Sequence, residues 1–457
     1  MAGIGFTLRR MLQEQGLTGP LKAFHYAVII TSGPWLISSV SLAVLSSYGS
    51  VAAVSQTFQI FLALVSYVLA ASLISVGTIH QVASRYLADR LYENKPEFFA
   101  PAFTVLLTML LTVQAVCGSL FFCWVPLTID VLGAALVLLL AVSATWLAMT
   151  FLSAAKDYRT IVSAFLLGGV VAVTASLFGG QYFGLKGLVL GFTSGYLFTL
   201  AILMMRVMIE FGLPLCAPDG LREALVTFWP LTVAGFAYNL GVWIDKILCW
   251  YHPKTGVVVA GALHIAPIYD NAMFLAYASI IPAMGLFLLR VETDFYDTYR
   301  DYFSTLLLKG TLTEIEQANQ RLRDTLWRNV VLLLKLQAPI TVLMILFAPE
   351  IFSALKLNWA SIFVFRFGAL GAFFHALHLM IMILLLYLEY RIEAMALALV
   401  FFVTNTVFTL LTFNAANAYL GIGYSLSCGF TFVFGLLLLL KALDDLDFHV
   451  FVRQPLL

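Results

Sequence analysis

Tyr238, Asn239, Asp245 and Lys246 lie in one apolar run, 228–250, and Tyr269, Asp270 and Asn271 lie in the next, 264–289. A charged side chain at the centre of a bilayer costs roughly 2.5–3.5 kcal/mol on insertion scales, so ionisable groups in such runs face a protein interior or a wet cavity. Carboxylate, ammonium and amide groups together can bind and release a polar solute or a cation. Asp245 and Lys246 are neighbours in sequence and point about 100° apart on a helix, which argues against a pair within that helix. Measured from the outer ends of their runs, Lys246 and Asp270 fall within about one helical turn in depth, so an ion pair between neighbouring helices is feasible. Asn239, Trp243 and Lys246 share one face. Such a pair either lines a transport path or locks two helices together.

Further polar groups lie in the second half. Lys335 sits about 12 Å along its run, close to the midplane. His375 and His378, at i and i+3, share a face of the tenth run, with Arg366 nearer its outer end. His-x-x-His without acidic or cysteine ligands in register is a poor metal pattern, so no metal is expected, and hydrogen bonds to neighbouring helices are the expected use of both rings. The five cysteines, Cys117, Cys123, Cys216, Cys249 and Cys428, sit mostly inside apolar runs and read as small buried hydrophobes rather than disulfide partners. The first half holds Gln59, Gln114, His25 and hydroxyl residues but almost no interior charge. There is no P-loop, dinucleotide fingerprint, HExxH or Ser/His/Asp order, so neither an enzyme nor a cofactor is expected.

The elements that must position these groups are membrane helices. Hydrophobic residues make up 62% of 457 and charged residues 11%, far below the roughly 25% of a soluble domain, and mean hydropathy is +0.97. Strand-type alternation is absent, so the fold class is an all-α polytopic membrane protein. Twelve spans are expected, at 21–47, 56–79, 99–123, 127–154, 160–179, 187–209, 223–250, 264–289, 327–347, 361–388, 394–413 and 423–441, with only a short turn between the seventh and eighth. Nineteen Lys and Arg fall on one side of this layout and only Lys186, Lys254 and Lys356 on the other, which puts both termini in the cytoplasm.

Residues 1–20 suit a cytoplasmic surface helix. The Pro/Gly-containing link 211–222 divides an N-lobe, 21–210, from a C-lobe, 223–441, and 442–457 form a cytoplasmic tail. The inner loop 290–328 carries two amphipathic stripes, Phe295, Tyr299, Tyr302, Phe303 and Leu306, then Ile315, Ala318, Leu322 and Leu326, with Thr311-x-x-Glu314 as a capping box between them. Phe295, Tyr299, Tyr302, Phe303, Ile315, Leu322 and Leu326 are candidates to dock a cytoplasmic partner, unless these faces pack on the membrane or on inner helix ends. The abundant aromatic residues could stack on sugar rings, but lipid-facing and interfacial roles explain them equally well.

Several polar words inside this apolar text carry a resemblance. Ala2-Gly-Ile-Gly-Phe-x-Leu-Arg-Arg10, Ser32-Gly-Pro-Trp35, Tyr238-Asn-Leu-Gly-Val-Trp-Ile-Asp-Lys246, Tyr269-Asp-Asn-Ala-Met-Phe-Leu-Ala-Tyr277 and Leu288-Leu-Arg-Val-Glu-Thr-Asp-Phe295 closely resemble the PelG family of Pel exopolysaccharide transporters. The resemblance runs end to end. It implies the MOP exporter superfamily, with the Wzx flippases and MATE antiporters, and twelve helices in two six-helix lobes around a cavity. It also implies export of an N-acetylgalactosamine-rich polymer across the bacterial inner membrane, with PelD-like and PelE-like membrane proteins and a PelF-like cytoplasmic glycosyltransferase as partners. The sparse, mixed interior charge fits a neutral acetylated glycan better than a pyrophosphate-linked one. Two other readings stay open: an ion-coupled small-molecule antiporter of the same fold, and a non-conducting scaffold that recruits the glycosyltransferase.

Overall fold

The computed structural model describes residues 4–14, 18–51, 55–413 and 419–453. Residues 1–3, 15–17 and 454–457 of the expected surface helix and tail lie outside them. Backbone groups in hydrocarbon must be satisfied within their own segment, and the chain is accordingly helical almost throughout. In order come α1 (Ile4–Leu12), α2 (Thr18–Val51), α3 (Ser55–Tyr92), α4 (Phe99–Phe122), α5 (Ile129–Ala154), α6 (Tyr158–Phe211), α7 (Leu221–Thr227) and α8 (Trp229–Tyr251). After a strand pair, β1 (Val257–Ala260) and β2 (Leu263–Ile265), follow α9 (Pro267–Ala278), α10 (Ile281–Arg290), α11 (Tyr296–Leu307), α12 (Leu312–Leu346), α13 (Ala348–Ala354), α14 (Ile362–Tyr387), α15 (Arg391–Thr412) and α16 (Ile422–Asp444). Among the described residues ten helices are long and apolar enough to cross a membrane, or eleven if α7 and α8, bent by 67°, count as one. The chain is thus an all-α, multi-pass membrane protein.

Two local features depart from the expected layout. The seventh and eighth runs are joined by an antiparallel hairpin, β1 with β2, not by a bare turn. Its strands, Val-Val-Val-Ala and Leu-His-Ile, are too short to show alternation, and Gly261 supplies the positive φ of 54° that the reversal needs. Meanwhile α6 contains both the fifth and sixth runs, because helical backbone is interrupted only at Gly184 (φ 57°, ψ −132°). Beyond it the chain returns along itself. A Cβ on Gly187 would meet the Gly179 backbone, one on Gly191 the backbone of Ala175 and Ser176, and one on Gly195 Ala172. Glycine every fourth residue lets the two arms touch backbone to backbone. Thr199 Oγ1 adds a hydrogen bond to the Ala164 carbonyl at 3.3 Å.

Residues 33–267 form one compact unit, and residues 1–32 with 268–457 form another. The first border falls within α2, just before Pro34. Unit 33–267 has a continuous apolar core that includes Phe61, Leu138, Phe151, Phe192 and Leu203. In it α8 packs on α3: a Cβ on Gly77 would lie 2.6 Å from the Gly235 carbonyl, and one on Gly235 would meet the Gly77 carbonyl. The seventh run therefore shares a unit with the first-half helices, whereas a division at 211–222 leaves it with the second half. At the start of α6, Asp157 accepts from Thr160 N (3.3 Å) and Oγ1 (2.8 Å) and from Arg206 Nε (2.5 Å). Burial pushes its carboxyl upward, but these hydrogen bonds and the guanidinium outweigh that and hold it below 3.8.

In the other unit α14 is packed by α12, α15 and α16. Gly371 lies against Tyr424, and Ser425 Oγ donates to the Phe367 carbonyl. The capping box forms as its pattern predicts, with Glu314 N donating to Thr311 Oγ1 (3.4 Å) and Thr311 N to Glu314 Oε2 (2.7 Å). The C-terminal segment closes over α11 and α12. Tyr302 Oη donates to Asp447 Oδ1 at 2.5 Å, Asn319 Nδ2 to Asp447 Oδ2 at 2.9 Å, and Arg323 pairs with Asp444 at 2.9 Å. Arg9 of α1 reaches Asp297 at 2.6 Å, with Leu8 buried.

Gly187→Ala is expected to lower the stability of the purified protein by about 1–3 kcal/mol through overpacking. Gly133→Ala, whose added Cβ meets nothing within 4 Å, should leave stability unchanged or slightly raised. Thermal unfolding of both variants in detergent checks this. The contribution of Asp157 is complete above the unfolded carboxyl value of 3.8 and is lost as pH falls through the lowered folded value. Asp157→Asn should therefore flatten the acid limb of stability against pH.

Candidate functional site

Pro230 starts α8 at a position where its missing N–H costs nothing, and Gly235 brings the helix against α3. Asn239 folds its Nδ2 back to the Gly235 carbonyl at 2.8 Å, beside Gly77. Two turns further on, Asp245 is fully buried and the Lys246 side chain is 12% exposed. Lys246 Nζ lies 3.2 and 3.3 Å from the two Asp245 oxygens, donates to the Val242 carbonyl at 2.8 Å, and sits 5.9 Å from the Trp243 ring centre. Divergent Cα–Cβ directions predict no pair between these neighbours. The four-carbon lysine stem overrides that, swinging the ammonium back over the preceding turn. The pair is electrically neutral and retains a cation–π contact. Lys246 thus pairs with its neighbour Asp245; Asp270 is half-buried and Asn271 exposed, and both belong to the other unit.

An aromatic run adjoins this pair. Trp243 lies 6.2 Å from Trp250, which stacks on Tyr67 of α3 (4.6 Å, 18°), and Tyr67 stacks in turn on Phe121 of α4 (5.4 Å, 26°). Tyr67 Oη donates to Tyr251 Oη at 3.1 Å and accepts from His264 N at 3.3 Å, and Tyr251 Oη donates to the Ala262 carbonyl at 3.0 Å. The β-hairpin is thereby fastened to α3 and to the C-terminal end of α8. Nothing in the sequence picks out Tyr67, which stands far from Trp250 in the chain and becomes its neighbour only through the α3–α8 packing.

The remaining polar residues fall in the other unit. Lys335 is exposed on α12, while Gln337, not singled out by the sequence, is buried and donates to the Ser279 carbonyl at 3.0 Å, at the break between α9 and α10. Arg366 Nε donates to the Ile345 carbonyl at 3.2 Å, so it serves the C-terminal end of α12. His375 and His378 are buried with ring centres 4.6 Å apart, among Tyr277, Phe401 and Tyr424. The partner-docking residues face their own chain: Phe295, Tyr302, Ile315, Leu322 and Leu326 are buried, and Tyr299 and Phe303 half-buried. Their amphipathic stripes are satisfied by the hairpin of α11 on α12 and by the C-terminal segment, packing on the chain's own helices that the sequence leaves open beside a partner. At the tip of this hairpin Leu307, Leu308 and Leu312 are exposed.

Comparison with known proteins places the chain. A family model described as "PelG: Putative exopolysaccharide Exporter (EPS-E)" matches residues 1–451. The chain belongs to the PelG family. No curated protein matches it. Among solved structures, a MOP superfamily transporter from Pyrococcus furiosus, whose binding pocket is described as reversed in polarity, is 14% identical over 97% of each chain with a TM-score of 0.62. An outward-facing multidrug resistance MATE family transporter is also 14% identical, over 98% of this chain and 99% of that one, with a TM-score of 0.62. MATE in a bent conformation is 13% identical over 96% and 98%, with a TM-score of 0.63. At these identities the likeness establishes the MOP/MATE fold, and the family match makes the chain a membrane transporter.

Lys246→Met leaves Asp245 buried without its ammonium and is expected to cost about 3–5 kcal/mol of stability, whereas Asp245→Asn with Lys246→Met should recover much of that loss. Unfolding of the single and double variants in detergent measures the difference.

Proposed function

We propose that this protein exports an exopolysaccharide, a Pel-type polymer rich in N-acetylgalactosamine, across the bacterial inner membrane. The observation that carries this reading is the family match over residues 1–451. In this reading the chain crosses the membrane twelve times in two six-helix lobes, with both termini cytoplasmic. The two arms of α6 count as separate crossings and α7 with α8 as one, which supports that number. Lys246, its charge balanced by the buried Asp245, and Asn239 suit the hydroxyl and acetamido groups of an uncharged sugar, since they present polar groups without a net charge to trap the polymer. Trp243, Trp250 and Tyr67 supply flat apolar faces next to it. Asp270, Asn271, Lys335, Arg366, His375 and His378 remain transport-path candidates in the second unit. PelD-like, PelE-like and PelF-like proteins are the proposed partners, with the exposed Leu307, Leu308 and Leu312 at the hairpin tip, in place of its buried stripes, as the contact for the glycosyltransferase.

A second reading is favoured by the solved structures, which are largely MATE transporters: an ion-coupled antiporter of the same fold, with Asp245 as the cation-binding carboxylate. The two readings separate in one experiment. Polymer secretion and recovery of the intact partner complex are measured for Asp245→Asn, Lys246→Met and Asp270→Asn in cells with an active synthase. Export predicts that secretion falls at least roughly tenfold for the α8 variants, a barrier change of about 1.4 kcal/mol, with the complex still assembled. Antiport of a small solute predicts unchanged secretion, together with a pH- or sodium-dependent solute flux that Asp245→Asn abolishes.

A further inference from the structure

His375 and His378 stand on one face of α14, and Cys428 of α16 comes up against them. One imidazole nitrogen from each histidine and Cys428 Sγ all lie within 4.8 Å of one another. The three residues are 3%, 1% and 0% exposed. Among the described residues no other three His, Cys, Asp or Glu converge in this way. The sequence hides the cluster, because Cys428 stands fifty positions beyond His378 and reads as a small apolar residue.

We propose that His375, His378 and Cys428 bind one monovalent copper ion. Donor chemistry narrows the choice first: imidazole with thiolate selects copper or zinc over magnesium, calcium or manganese. Geometry fits a single ion. With metal–nitrogen bonds of about 2.0–2.1 Å and a metal–sulfur bond of about 2.3 Å, donors on one ion stand roughly 3.3–4 Å apart, so side-chain rotations of about 1 Å close the cluster. The helices carrying the donors are already fixed at contact distance, through Gly371 against Tyr424 and Ser425 bonded to the Phe367 carbonyl. Tyr277, Phe401 and Tyr424 wall the histidine rings with centres 4.7–6.2 Å away, limiting their reorientation.

Charge decides between the two metals. Binding deprotonates Cys428, whose proton leaves to solvent, and two neutral imidazoles add no charge. With Cu⁺ the loaded site is neutral. With Zn²⁺ it carries a net positive charge inside a membrane helix bundle, where an uncompensated ion is costly. Zinc in structural sites also takes four protein ligands, while this cluster offers three, which suits three-coordinate copper. A bound ion would cross-link α14 to α16 midway along α14.

The test uses the full chain, purified anaerobically in detergent, loaded with Cu⁺ and then challenged with a Cu⁺ chelator. Metal content is measured by mass spectrometry and the ligand set by X-ray absorption. The expected result is one copper per chain with one sulfur and two nitrogen ligands. Cys428→Ser and His378→Gln should each weaken retention by more than roughly 100-fold, beyond the effect of changes outside a ligand set. Cys249→Ser should leave it unchanged. Wild-type protein that keeps no copper, holds it on sulfur alone, or retains Zn²⁺ in its place overturns the proposal, as does full retention by Cys428→Ser. The wild-type absorption spectrum decides even if a variant fails to fold.

Discussion

Inside hydrocarbon a polar group has to find its partner within the protein, and most often the nearest partner is its own helix. Many side chains of this protein obey that constraint. Thr104, Thr108 and Thr112 each return their hydroxyl to the carbonyl four residues back along α4, and Thr145 and Ser41 do the same on α5 and α2. Lys246 follows the same rule with a charge, dividing its ammonium between the preceding carboxylate and the Val242 carbonyl. Contacts between helices are then left to surfaces with nothing to satisfy. Hence the glycine-on-glycine approach of α3 to α8 and of the two arms of α6. Gln114, which bridges helices to the Ala71 carbonyl and to Ser143, is fully enclosed.

Fold class was legible because it follows from composition and run length, which hydrocarbon thickness converts directly into helices. Helix ends with side-chain logic were legible too: the Thr311 and Glu314 capping box forms as written. Tertiary packing was not. Gly184 reads as an ordinary glycine between two runs, and only the close return of the second arm shows that one residue makes the whole turn. The β-hairpin escaped notice because seven strand residues cannot display alternation. The grouping of α8 with α3 depends on Gly77 meeting Gly235, a relation between positions about 160 residues apart that a single sequence does not encode locally.

The candidate site shows the same division. Asp245, Lys246 and Asn239 stand out in sequence because each contradicts its apolar surroundings. Their arrangement does not, since a rule about Cα–Cβ directions cannot follow a flexible lysine stem. Tyr67, Trp250 and Gln337 were invisible for the opposite reason: aromatic and amide residues are common in such helices, and these matter through neighbours elsewhere in the chain. The amphipathic stripes of α11 and α12 were read correctly as faces that need cover. What covers them, the C-terminal segment through Asp444 and Asp447, is a contact of more than 100 residues in sequence separation.

The uninterrupted course of α12 has a mechanical consequence. Its 35 residues make a rod of about 52 Å, fastened to the C-terminal segment near one end, to the α9–α10 break through Gln337, and to α14 through Arg366 near the other. A force applied at the Thr311 end has no loop in which to dissipate and must travel up the rod as tilt. The weak point lies at Pro339, which cannot donate to the Lys335 carbonyl, so bending is easiest there. α12 therefore behaves as a stiff crank with one compliant joint, set next to the exposed lysine.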